Sequence, residues 1–138
     1  MPEISFRYKN EESRIFGKIK RPRINVEIFS KIKGDWILII DVLADTGADI
    51  SVFPAFIGKL VVDDITTGKY VEIKGIEPSA VLIAFLHQLK MRIQGKEFEL
   101  PVALADSNNV PSILGRVNGL DLFDANFFEG EKLTLSWK

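Results

Sequence analysis

At 138 residues, 46% hydrophobic and 27% charged, the chain is sized for one domain with a real core, which excludes a disordered segment. Eighteen Lys+Arg against nineteen Asp+Glu leave a net charge of −1, so no electrostatic footprint exists for nucleic acid or an anionic membrane. Cysteine is absent and His87 is the one histidine, which removes disulfides, thiolate metal sites, a cysteine nucleophile and a His pair for zinc.

Residues 1–20 are more polar and basic than the rest and read as an N-terminal arm ahead of a domain over 21–138. MPEISFRYKN carries charges where a signal peptide needs an apolar run. The most apolar stretch, Trp36–Ala44, contains Asp41 and is far shorter than the roughly 20 residues that span a bilayer. A soluble, cytoplasmic protein without a membrane partner is expected. The basic run Lys18–Arg23 lacks interleaved aromatics and reads as a solvated face.

Ile24–Phe29 alternates apolar and polar, as a half-buried strand does. Lys31–Asp35 is a turn, with Gly34 free to take positive φ. Trp36–Leu43 is almost continuously apolar, which predicts a strand covered on both faces. A short helical turn falls around Pro54–Lys59. Strands follow at Tyr70–Lys74, Val81–Phe85, Lys90–Ile93 and Phe98–Leu104, with Gln94-Gly95-Lys96 as a hairpin turn. Leu120 and Phe123, three apart behind Asn118 as cap, predict one short helix over Asn118–Asp124. Glu129-Gly130-Glu131 folds Asn126–Phe128 onto a last strand, Lys132–Trp137. The class is all-β with a short C-terminal helix.

Val42–Ser51 carries the chemistry. A buried strand runs into Asp45, and a carboxylate there is costly unless hydrogen bonds compensate it. Gly47 lets the chain turn and frees backbone N–H groups to hold that carboxylate, and Thr46 adds a hydroxyl that donates and accepts. Taken alone, Asp45 reads as readily as a turn aspartate. Asp41, Asp45 and Asp49 lack the spacing and terminal Glu of a calcium loop, so no metal site is predicted. A phosphate-binding Gly turn of the actin-like ATPase kind needs further acidic loops on a far longer chain.

Leu43-Ala44-Asp45-Thr46-Gly47-Ala48-Asp49 resembles the active-site loop of the retropepsin-type aspartic proteases. Ile113-Leu114-Gly115-Arg116 resembles that family's apolar-apolar-Gly-Arg motif, and Ile73–Pro78 falls where its flap hairpin belongs. Gly119–Asp124 and the closing strand are similar to prokaryotic single-domain members. The resemblance covers residues 24–137 in order. It implies a closed acid-protease-type barrel of one lobe. This sequence holds one Asp-Thr-Gly and no Asp-Ser-Gly, so the resemblance further implies a homodimer in which each chain gives one Asp45.

The roles carried over by resemblance are as follows. Asp45 is catalytic, in an aspartic endopeptidase acting on a peptide or protein without a cofactor. Thr46 bonds its symmetry mate, Gly47 accepts a substrate backbone hydrogen bond, and Ala48 borders a side-chain pocket. Asp49 pairs with Arg116 to brace the loop and also meets substrate backbone. Gly75 and Ile76 belong to the flap, and Pro111 and Ile113 line inner specificity pockets. Lys132–Trp137 joins the partner's terminal strands, with Phe127, Phe128 and Trp137 as core or dimer contacts. The flap departs from the Gly-rich retroviral form: Pro78 stiffens it and removes a donor, and Glu77 brings an acid that favours basic substrates. Val117-Asn118-Gly119 shifts the start of the helix. The alternative is a catalytically silent domain of the same type that binds or scaffolds proteins. His87 is expected on a strand surface or in a local hydrogen bond.

Overall fold

The computed structural model describes residues 1–77 and 79–138; Pro78, placed in the flap above, lies outside the described residues. Twelve strands follow in chain order: β1 (Glu3–Arg7), β2 (Lys9–Ser13), β3 (Gly17–Arg21), β4 (Arg23–Ser30), β5 (Asp35–Ala44) and β6 (Ser51–Phe53) come first. After the helix α1 (Ala55–Val61) come β7 (Lys69–Lys74), β8 (Val81–Ile93), β9 (Lys96–Ala105), β10 (Ile113–Leu114), β11 (Asp124–Phe128) and β12 (Lys132–Ser136). One sheet runs β4-β5-β10-β6-β9-β8-β7, and β8 also pairs with β4, which closes six of its strands into a barrel.

The alternation along β4 sends Ile24, Val26 and Ile28 inward, where they meet Val42, Phe53, Leu100, Leu104 and Leu114. The closing seam is short: Glu27 faces Arg92 and Ile28 faces Met91. Arg92 donates to both Glu27 oxygens, at 3.0 and 2.8 Å, and its guanidinium lies 4.3 Å from the centre of the Trp36 ring. A bidentate pair stacked on an indole fixes cross-strand register better than a single contact.

β8 is one strand where the composition suggested two, Val81–Phe85 and Lys90–Ile93. His87 is the reason. It takes an inward position and is buried with Nε2 2.7 Å from the Ile65 carbonyl, so a polar residue is absorbed without breaking the alternation. The predicted double coverage of Trp36–Leu43 is corrected: Leu38 and Ile40 are 62% and 57% exposed, and only the inner face is packed. Asp41 adopts φ 61° opposite a register shift in β4, a bulge that turns the strand before it reaches Asp45.

The turn at Pro54–Lys59 is the α-helix α1, which Pro54 begins. The C-terminal helical turn is confined to a 3-10 turn over Leu120–Leu122. Asn118 sits at φ 53°, outside helical backbone, and Phe123 is already extended, so the helix has no room to run from 118 to 124.

A separate sheet, β1-β12-β11, covers one end of the core with Leu133 and Leu135. β12 is therefore its middle strand, with β1 and β11 of its own chain on either side. Trp137 is buried, whereas Phe127 and Phe128 are exposed. β2 and β3 form a two-stranded hairpin, tied to the barrel where Arg23 donates to both Glu11 oxygens at 2.6 and 3.0 Å. Lys20 adds a bond to Glu131, so most of the basic run is paired rather than freely solvated. Among the described residues, no helix is long and apolar enough to cross a membrane.

Candidate active site

β5 delivers Asp45 to the barrel rim, where it is half-buried. The chain turns at once: the Gly47 N–H donates to Asp45 Oδ1 at 2.9 Å, and the Ala48 N–H donates to the Asp45 carbonyl at 3.2 Å. A Cβ on Gly47 would come within 3.3 Å of that carboxylate oxygen and crowd it. The expected use of this glycine, freeing an N–H for the carboxylate, is what the geometry shows.

The loop is braced from behind by β10, which lies between the two strands that flank it, parallel to β5 and antiparallel to β6. Leu43 N–H donates to the Ser112 carbonyl and Asp45 N–H to that of Leu114, at 2.9 and 3.1 Å. On the other side, Arg116 N–H donates to the Ala48 carbonyl and Val117 N–H to that of Asp49, both at 2.9 Å. Ile113-Leu114-Gly115-Arg116 and the Asp45 loop thus form one hydrogen-bonded unit.

That unit explains Gly115. A Cβ there would stand 2.6 Å from the carbonyl carbon and oxygen of Ile50 and 2.9 Å from the Ala48 oxygen, so only glycine allows the two segments to meet. Its N–H donates to the buried Ser51 hydroxyl at 2.9 Å. Gly119 is equally confined: a Cβ there would stand 2.6 Å from the Gly115 carbonyl oxygen. Ser51 and Gly119 stand within the sequence motifs, which gave neither of them this bracing role. A lone serine inside Ile50–Phe53 and a second glycine four residues after Gly115 were the available signals.

Asp49 and Arg116 do approach, at 3.7 Å, but Asp49 is 85% exposed at its side chain. The nearer partner is Asp121, which sequence reading missed: both of its oxygens accept from Arg116, each at 3.4 Å. Asp121 first, and Asp49 behind it, hold the guanidinium above its usual range, still more firmly protonated. Asp121 is the middle residue of the 3-10 turn, five residues on, and that turn folds it back onto Arg116.

Thr46 and Gly47 are exposed and Ala48 is half-buried beside them. Ile113 is half-buried on β10. Pro111 is exposed and lines, with Leu38, Ile40, Phe56 and Leu60, a depression of 640 Å³ whose walls do not include Asp45. Gly75 and Ile76 stand at the tip of the β7–β8 hairpin, fully open to solvent. Under this hairpin a second apolar cluster joins buried Val52, Ala84, Ala103 and Ala105 to Ile50, Ile73 and Leu82. Among the described residues, no group of three metal-ligating side chains gathers anywhere.

No family model matches the chain, and neither does any curated protein. Among solved structures, a retropepsin-like aspartic protease from Rickettsia conorii aligns over 99% of this chain and 92% of its own, at 17% identity and a TM-score of 0.63. An inhibitor complex of EIAV protease aligns over 70% of this chain and 83% of that one, at 26% identity and a TM-score of 0.49. The protein has a retropepsin-like fold.

Proposed function

We propose that the protein is an aspartic endopeptidase whose site is shared by two copies, each giving Asp45. One observation carries the reading: a solvent-open carboxylate, held by the Gly47 N–H at 2.9 Å and locked from behind by β10, on a retropepsin-like fold that supplies it once per chain. Two such carboxylates brought together cannot both ionise and share one proton. They titrate as a pair.

The ionised member takes a proton from a bound water as its oxygen attacks the scissile carbonyl carbon. The protonated member gives its proton to the carbonyl oxygen. The tetrahedral diol then collapses: the carboxyl that took the water's proton passes it to the amide nitrogen, the C–N bond breaks, a diol hydroxyl gives its proton to the other carboxylate, and the pair returns to its shared-proton state. Substrate lies extended between the β7–β8 hairpin and the Asp45 loop, adding a strand. In this reading Gly47 and Asp49 meet its backbone, and Ala48, Ile113, Pro111, Gly75 and Ile76 border its side chains. Thr46 bonds its counterpart across the two-fold axis, and Arg116 braces the loop.

Replacing Asp45→Asn tests the assignment against a purely binding role. Cleavage of a diverse peptide library is expected to fall by about 10²–10⁴-fold, the usual worth of general acid–base catalysis. Far-UV circular dichroism and sedimentation stay as in the wild type. Undiminished cleavage by this variant would sink the mechanism; a wild type that cleaves nothing between pH 3 and 7, around ordinary carboxyl titration, supports the silent binding domain.

A further inference from the structure

Two elements on the outer wall of the barrel each leave an apolar pair uncovered. Leu38 and Ile40, two apart, share the outward face of β5, and Phe56 and Leu60, four apart, share the outward face of α1. With Pro111 they line the 640 Å³ depression described above. Single exposed apolar side chains are ordinary, but a contiguous patch marks a surface that meets another molecule. Its walls are fixed to one another. The Ala55 N–H donates to the Ser107 carbonyl at 2.9 Å and the Phe56 N–H to Asn108 Oδ1 at 2.8 Å, which ties the start of α1 to the loop that runs into Pro111.

Two observations say what covers this surface. The first is position. Val110 lines the depression and also packs on the apolar cluster beneath the β7–β8 hairpin, the cluster that gathers Ile50, Ile73 and Leu82. The partition between the two is thus one side chain thick. A polypeptide extended between the hairpin and the Asp45 loop has only this partition to cross before it reaches Leu38, Ile40 and Phe56. The second is charge. The charged side chains of the lining pair among themselves: Arg23 holds both Glu11 oxygens, and Lys9 meets Asp41. Two cations and two carboxylates cancel, so the depression suits an uncharged, apolar occupant.

We propose that this depression is a secondary substrate-binding surface, which seats an apolar, uncharged stretch of polypeptide lying outside the cleaved segment. The protein would thereby select unfolded protein chains over short peptides. The proposal rests on the endopeptidase reading above and names its substrate class. Contacts of this kind hold ground state and transition state alike, so they lower KM and leave kcat as it is.

The test presents one scissile bond in two lengths. β-Casein, an unfolded and apolar protein, is one substrate; a short peptide spanning the bond that the wild type cuts in it is the other. Leu38→Ser combined with Phe56→Ser, both solvent-facing, should raise KM for β-casein at least about fivefold, less than full burial of the two side chains is worth. Values of kcat, the KM for the short peptide and the far-UV circular dichroism should match the wild type. Because the chain lacks cysteine, Leu38→Cys in the Asp45→Asn background gives a readout free of cleavage. Its alkylation by iodoacetamide should slow under saturating β-casein and not under the short peptide. An equal rise in KM for both substrates, or none for either, overturns the proposal while the endopeptidase reading stands. A wild type that cuts no bond in β-casein, with Leu38→Cys still shielded by it, overturns the endopeptidase reading and leaves a polypeptide-binding surface; without that shielding, both fall. Shielding by phosphatidylcholine–phosphatidylglycerol vesicles, or by raising the concentration of the protein itself, in place of shielding by β-casein, assigns the surface to a membrane or a second copy and overturns the proposal.

Discussion

The Asp45 loop and the tip of the β7–β8 hairpin are both turns of a few residues, yet they are held in opposite ways. The loop is stitched to β10 and to Gly115–Val117 by backbone hydrogen bonds from both sides, with Ser51 buried beneath it. Among its described residues the hairpin tip makes local bonds, Gly75 N–H to the Ala80 carbonyl, Ala80 N–H to that of Glu77 and the Ser79 hydroxyl to the Glu77 carboxylate, and Ile76 is fully exposed. On the proposed function, the group that must keep its angle to a reacting atom sits on over-determined backbone, and the segment that would admit substrate makes few commitments.

This contrast gives an ordered set of tests. Gly115→Ala should cost the most, about 1–3 kcal/mol as for other overpacked sites, because its Cβ would collide with the backbone carbonyls of both Ile50 and Ala48. Thermal denaturation measures the loss, and cleavage should fall with it as the Asp45 loop is displaced. Ser51→Ala leaves the Gly115 N–H buried without its acceptor and should cost about 1–2 kcal/mol. A neutral outcome at either position would mean that the brace is slack.

Acid should act next, and away from the site. Arg23 holds the Glu11 carboxyl below its usual range, and Arg92 does the same for Glu27, in each case chiefly through the hydrogen bond. Their folded pKa values are depressed, so the stability they contribute is complete above the unfolded value of about 4.3 and is lost as pH falls through the folded values. Between pH 5 and 3, hydrogen exchange in β2 and β3 should therefore rise before that of the barrel core, and Glu11→Gln should remove that pH dependence. The smallest effect belongs to the hairpin tip. Gly75→Ala meets no neighbour, so stability should stay within about 0.5 kcal/mol. Ile76→Ala should do the same while raising KM for peptide. A lowered melting temperature in either would show that the tip carries more structure than its exposure implies.

What the sequence revealed follows the range of the forces involved. A strand with clean alternation, such as β4, was legible because each residue's face is fixed by its neighbours. So was the Asp45-Thr46-Gly47 turn, whose carboxylate contact is two residues long. β10 was visible only as a motif, since a two-residue strand has no periodicity and exists because β5 and β6 leave a gap for it. The Arg116–Asp121 contact was hidden because Asp49 offered an equally plausible carboxylate, and only the folded 3-10 turn decides between them. The open face of β5 was misread because apolar runs are ordinarily covered twice, and here Leu38 and Ile40 line an outer depression instead.

The uninterrupted course of β8 has a mechanical consequence. Its first residues, from Val81, form one arm of the β7–β8 hairpin, and its last, around Arg92, fasten the barrel to β4. No joint separates the two duties. Deleting a single residue such as Gln88 would exchange inside for outside along the remainder of the strand, unseating hairpin or clasp at a stroke. Length at this one strand is therefore the dimension of the molecule least free to drift, whatever happens to the side chains along it.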